Sequence, residues 1–366
     1  MAREAAAVSE EERGLLRDSV RGFLADHWPV DGAVERANDP AKVRDIWRGL
    51  AGQGVTKLGF DPDEGGLREI LLVFEELGRA SCPAPLLGAV IVSLLARERR
   101  NSADALARLA EALHGGTAAA AIAFGAADGD GAAGSPAFTG EAVSGRAAFV
   151  EDGAVASHYV LFTATPPGVA IVDAGAAGMK VTPTPGLAVP PLSELSLSGV
   201  KAQRVEVTPA RLGELAQVAR LCTAARALGA AQRGFELALD HAKMRRQFGQ
   251  LIGQFQAIQH KLADCLTRLD GARLTLDAAA TLFDRGMPDW RIFAAASLAY
   301  AGPALRQVVL ESHHTMGAIG YAEEHEMPRH FRRIHADLAR FGGAPRARAE
   351  LADYLLGPAA ATGGTP

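Results

Sequence analysis

The sequence predicts an α+β protein: an N-terminal helical domain, a middle antiparallel β domain, then a C-terminal domain resembling a four-helix bundle. Three observations carry this reading. Apolar residues recur at helical spacing up to about residue 115. From about 118 to 209 that spacing stops, glycine and proline become dense, and short β-rich runs stand between turns. From about 211 helical spacing returns, with two long Ala/Leu-rich runs, 214–243 and 255–285, free of proline. The expected domains are 1–117, 118–209 and 210–356, followed by a flexible tail at 357–366.

Each element has its own signal. Ser9, with Glu11 and Glu12 behind it, caps a first helix whose apolar face is Leu15, Leu16, Val20, Phe23 and Leu24. A second helix at about 41–53 presents Val43, Ile46, Trp47 and Leu50. The FDPDEGG stretch at 60–66 is a turn, and the next helix carries Ile70, Leu71, Val73, Phe74 and Leu77. Pro83 and Pro85 break the chain before a helix at about 86–97. The β runs are AAIAF, AAFV, YVLFTA, GVAIVD, MKVTP and AQRVEVT, closed by Pro209. In the last domain, 289–315 contains Pro303, where a kink is expected. Shorter helices follow at about 328–340 and 345–356. Long helices of this composition read as an antiparallel bundle.

Composition narrows the function. A hydrophobic content of 48% over 366 residues is ample for two or three sizeable cores. A net charge of −4 gives no basic face for nucleic acid. Cys82, Cys222 and Cys265 are too few and too scattered for a disulfide framework or a zinc site. The N-terminus shows no signal peptide. The apolar run LLGAVIVSLLA at 86–96 is too short to span a bilayer. A soluble, cytoplasmic protein without a membrane segment is expected.

Three motifs carry chemistry. The first is MRRQFGQLIGQFQAIQHKLAD at 244–264. A guanidinium fork such as Arg245 suits a pyrophosphate, Gly249 lets backbone approach a ligand, and Gln256 offers donor and acceptor to a purine edge. The second is HTMGAIGYAEEHEMPRHFRR at 314–333, whose glycine-rich turn presents bare N–H groups. The third is RRIHADLARFGGA at 332–344. Together these resemble the C-terminal signatures of the acyl-CoA dehydrogenases, flavoenzymes that desaturate acyl thioesters between Cα and Cβ. FDPDEGG and FEELGRA (74–80) resemble that family's N-domain landmarks, and the order of domains is the same.

The resemblance implies FAD as cofactor and an acyl thioester as substrate. Arg245, Phe248, Gly249 and Gln256 match the segment that binds the pyrophosphate and adenine side of a neighbouring subunit's FAD. Gly317 and Gly320 match the glycine-rich turn, with His314 in place of a Gln and Ala318 in place of a Gly. The departures are as informative. The family's base is a Glu in a Glu-Gly-Thr run, and aligned without gaps it falls on Phe341. The alternative base site of some members, on the first long C-terminal helix, falls on Ala219. Asp337 and Glu214 lie within about a turn of the lost positions as weak substitutes. In the β domain Ala147, Phe149 and Glu151 replace the family's Lys, Trp and hydroxyl residue. A carboxylate at Glu151 is expected to repel an anionic reduced flavin.

Two other patterns are expected to be bland. Gly129, Gly131 and Gly134 spell a dinucleotide fingerprint, but Pro136 and a strand follow where a helix is required. The histidines at 313, 314, 325, 330 and 335 lack a helical i,i+4 pair backed by a carboxylate, so no metal is expected. The resemblance therefore implies the base-lacking subunit of an α2β2 acyl-CoA dehydrogenase, completed by a partner subunit that supplies the base. The alternatives are an autonomous homo-oligomeric dehydrogenase with a relocated carboxylate, and a non-redox scaffold.

Overall fold

The computed structural model describes residues 8–99, 104–125, 135–184, 186 and 191–357. Gly129, Gly131 and Gly134, and the tail beyond 357, lie outside the described residues. Helix α1 (Glu10–His27) starts with a capping box: Ser9 Oγ accepts from the Glu12 N–H at 3.2 Å while Glu12 accepts from the Ser9 N–H at 2.8 Å. Val20 and Leu24 are buried, whereas Leu15 is 65% exposed, against its expected place on the apolar face. The inward stripe runs 16, 20, 23, 24, and Leu15 falls to one side of it.

Helices α2 (Ala33–Ala37), α3 (Pro40–Gly52), α4 (Leu67–Arg79), α5 (Leu86–Ala96) and α6 (Ala105–His114) complete the first part. Every residue of α5 is buried, so its apolar run is a core helix. Strands β1 (Ala120–Ala123), β2 (Ala137–Thr139), β3 (Ala142–Glu151), β4 (His158–Ala164), β5 (Pro167–Asp173), β6 (Met179–Pro183), β7 (Leu192–Lys201) and β8 (Gln203–Glu206) form two four-stranded sheets. Their orders are β1-β4-β5-β8 and β2-β3-β7-β6.

The sheets are not wholly antiparallel. β1 runs parallel to β4, because the chain crosses to the other sheet through β2 and β3 before returning beside β1. Strand β4 shows why its sequence reads as one apolar run. Tyr159 and Leu161 face the core between the sheets, while Val160 and Phe162 face the core shared with the helices.

The last part contains α7 (Pro209–Met244), a hairpin of β9 (Arg246–Gln247) and β10 (Gln250–Leu251), then α8 (Gln256–Asp284), α9 (Trp290–Met316), α10 (Met327–Ala339) and α11 (Gly343–Leu356). Pro303 is accommodated within α9, which continues past it to Met316. Among the described residues α9 is the one helix long and apolar enough to cross a membrane, and it is mostly buried within the bundle. Helices α4 and α7 meet backbone to backbone. A Cβ on Gly78 would lie 1.9 Å from the Arg226 carbonyl oxygen, and one on Gly229 would lie 1.8 Å from that of Glu75. Glycine at both positions fixes α7, and with it Arg226, against the N-terminal helices.

Candidate functional site

A cavity of about 640 Å³ lies between the strands and the bundle. Phe124, Phe162 and Thr163 line it on the strand side; Glu214, Arg220 and Arg346 line it on the other. The expected base positions lie behind its lining residues Arg220 and Phe124. Ala219 is fully buried on α7, one residue before Arg220. Phe341, in the turn between α10 and α11, is 1% exposed. Its ring stands edge-on to Phe124 with centroids 5.1 Å apart, and the Arg340 guanidinium lies 4.8 Å from the ring centroid. Its φ of 55° is left-handed, a conformation that costs a non-glycine residue energy and that tight packing must hold. The expected base position is thus occupied by a buried ring packed between Phe124 and Arg340.

The weak substitutes are engaged elsewhere. Asp337 is buried, and although burial raises its carboxyl, both its oxygens accept from Arg226, at 3.0 and 2.6 Å. Glu214 faces the cavity but is held by Arg211 at 2.9 Å and by Arg291.

Glu151 corrects the expectation drawn from its charge. It is buried on β3 and accepts from Arg226 at 2.5 and 2.9 Å and from Arg340 at 2.7 Å. Burial alone would raise its pKa, but the Arg226 and Arg340 guanidiniums outweigh that and bring it to about 2. Glu151 therefore presents no bare charge to a flavin. It locks a β strand to α7 and to the segment before Phe341. Arg226 is the centre of this network, gripping two carboxylates in fork geometry. Sequence reasoning missed it. The available signal was an arginine inside the Ala-rich run ARALGAA, where an unpaired charge could not be buried.

The expected cofactor-binding residues lie at one end of the bundle. Phe248 and Gly249 form the two-residue turn between β9 and β10, with φ of 53° and 81°. Such a turn needs positive φ at both centres, which explains the glycine. Phe248 at its tip is 92% exposed, and Arg245, Gly249 and Gln256 are exposed beside it. His314, Gly317 and Ala318 are exposed at the end of α9, while Gly320 is buried. The two segments are neighbours. Lys261, on the first turns of α8, bonds Glu311 at 2.7 Å, and Glu311 lies 3.6 Å from His314. A rim with a guanidinium, an amide, a bare aromatic and glycine turns suits a dinucleotide presented from outside this chain.

Ser157, His158 and Asp173 are in contact but form no nucleophile. The Ser157 hydroxyl donates to the Ala119 carbonyl at 3.1 Å and accepts from the Ala119 N–H at 3.1 Å, so it stitches β1 to β4. Among the described residues no group of three or more His, Cys, Asp or Glu could hold a metal ion.

Comparison with known proteins agrees with the geometry. Residues 10–99 match the family model for the acyl-CoA dehydrogenase N-terminal domain, and residues 212–344 match that for the C-terminal domain. Over 335 residues the chain is 31% identical to acyl-CoA dehydrogenase IpdE2 of Mycobacterium tuberculosis, covering 89% of this chain and 91% of that one. Its fold is similar to the Tcur3481-Tcur3483 steroid ACAD G363A variant, with TM-score 0.84, 26% identity and coverage of 94% and 98%. It is also similar in fold to the ChsE4-ChsE5 complex from Mycobacterium tuberculosis, with TM-score 0.84, 24% identity and coverage of 97% and 99%. The chain belongs to the acyl-CoA dehydrogenase family of FAD-dependent oxidoreductases.

Proposed function

We propose that this chain is the non-catalytic subunit of a hetero-oligomeric, FAD-dependent acyl-CoA dehydrogenase, acting in α,β-desaturation of an acyl thioester within lipid metabolism. α,β-Dehydrogenation needs donors on the thioester carbonyl, a base for the α-proton and a hydride acceptor over Cβ. FAD supplies the acceptor when bound. This chain offers a phenylalanine and an alanine at the base positions, and Glu151, Arg226, Arg340 and Asp337 occupy one another. Its rim of Arg245, Phe248, Gln256, Gly317 and Ala318 remains open to solvent.

The observation that carries the reading is this division: at the reacting end Asp337, Glu151 and Glu214 are each bound to arginine, while the dinucleotide rim faces outward. On this reading the rim grips FAD held by the partner subunit, which brings the base. The named complexes among its relatives support a second, different subunit. The boundaries near 117, 209 and 356 follow from the helix–strand–helix order, and the three free, buried cysteines fit the cytoplasm.

The test is the visible spectrum of the chain, alone and co-expressed with a dehydrogenase-like partner. Flavin is expected in stoichiometric amount in the complex only. Stoichiometric FAD in the isolated chain, bleached by an acyl-CoA, would sink the proposal. Glu214 favours a second reading, an autonomous enzyme with a relocated base, because its carboxylate lines the cavity. Loss of turnover in Glu214→Ala, in a preparation of this chain alone, would establish that instead.

A further inference from the structure

A smaller hollow lies apart from the large cavity and shares no lining residue with it. It encloses about 130 Å³ between α6 and the sheet β1-β4-β5-β8. At roughly 30 Å³ per water that is room for about four waters, enough for a short aliphatic molecule and too little for a dinucleotide. Its floor is Leu109 and Ile171, each 4% exposed, and its rim includes Arg108, His158 and Asp173.

The hydrogen bonds of His158 show what the rim lacks. The Ser157 hydroxyl gives its hydrogen to the Ala119 carbonyl, so the His158 Nδ1 is the donor in its 2.9 Å bond to that hydroxyl. In the neutral ring Nε2 is then a bare acceptor, and it stands 3.4 Å from an Asp173 oxygen. Two acceptors at that distance repel unless a donor joins them. Both side chains reach solvent, 30% exposed for His158 and 74% for Asp173, so a donor can enter from the hollow. A primary ammonium, with several N–H groups and a positive charge, satisfies both at once. Across the hollow the sign reverses. Arg108 stands near the start of α6, where the N–H groups of the first turn also favour an anion.

We propose that this hollow binds a short aliphatic zwitterion. Its ammonium lies between His158 and Asp173, its apolar body on Leu109 and Ile171, and its carboxylate on Arg108. An α-amino acid of leucine size and an ω-amino acid of similar length share that chemistry. The inference is independent of the subunit reading above, because no residue lining the hollow belongs to the base positions or the dinucleotide rim.

Saturation-transfer NMR on the full-length chain at neutral pH tests it, with leucine, 5-aminopentanoate, 3-methylbutylamine and 4-methylpentanoate as probes. The first two carry both charges and the last two carry one each. At least one zwitterion is expected to bind about tenfold more tightly than either single-charge probe, and which one does so identifies the spacing of the charges. Asp173→Asn should remove the preference over 4-methylpentanoate, and Arg108→Gln the preference over 3-methylbutylamine. Ala105→Phe should abolish binding by filling the hollow. If one variant does not fold, the other two still decide. Absence of zwitterion binding would leave His158 and Asp173 a simple ion pair and overturn the proposal. Zwitterion affinity no better than that of the single-charge probes, or unchanged in Ala105→Phe, would overturn it as well.

Discussion

The two ends of the C-terminal bundle treat polar chemistry in opposite ways. Around Phe341, charged side chains are buried and spent on one another: Arg226 on Glu151 and Asp337, Arg340 on Glu151. Around Phe248, aromatic and cationic groups stand in water at the tip of a hairpin and at the end of α9. An exposed aromatic rim finds its partner outside the chain, whereas a buried ionic network has its partner inside. A catalytic subunit needs accessible chemistry at the first end. On the proposed reading this chain offers it at the second.

Removing the centre of the closed end should have the largest effect. Arg226→Met strips the buried Asp337 of its hydrogen-bonded guanidinium and leaves Glu151 with Arg340, and breaking a buried pair costs about 3–5 kcal/mol. Urea denaturation should show this loss or a failure to fold. A loss below about 1 kcal/mol would mean that the network is solvated and the contrast between the ends is weak. Phe341→Ala removes a ring from a packed wall, at a cost of about 3–5 kcal/mol. Flavin content per folded complex should not change, whereas a flavin loss larger than the unfolded fraction would place Phe341 in the cofactor site.

A third experiment probes the junction between the ends. Burial opposes ionisation of Glu326, but its bonds to His330 and Arg233 outweigh this and lower its pKa from 4.5 to about 2. A depressed carboxylate stabilises the fold above its unfolded pKa, and that stability is lost as pH falls through about 4.5 toward 2. The ceiling is about 3 kcal/mol at about 1.4 kcal/mol per unit. Glu326→Gln should flatten the acid limb of the stability curve in that window, and an unchanged limb would refute the assignment. The smallest effect on stability belongs to the open end. Arg245→Ala should leave folding within about 0.5 kcal/mol yet weaken FAD retention by the complex about tenfold, or roughly 1.4 kcal/mol. Unchanged retention would remove Arg245 from the rim.

Long-period features were legible early because they are local. The α7 and α8 runs, the Ser9 cap and the hairpin glycine each follow from spacing or from a backbone conformation confined to a few residues. Strands β2 and β7 were missed. The first is three residues long, and in LSELSLSGVK the alternation is of Leu with Ser and Glu, whose inward positions appear only once β3 is paired to it. The parallel β1–β4 pair was missed for a related reason, since strand direction is a property of the return path of the chain.

For the candidate site, the sequence by itself determined what is lacking: no carboxylate stands at 341 or 219, whatever the fold does. It could not say what Glu151 does there, because the charge of a carboxylate counts only with its surroundings. Arg226, 75 residues away, and Arg340, 189 away, decide that. The tertiary structure alone turned an expected repulsive charge into a lock between sheet and bundle, and it left the rim at Phe248 and His314 facing outward.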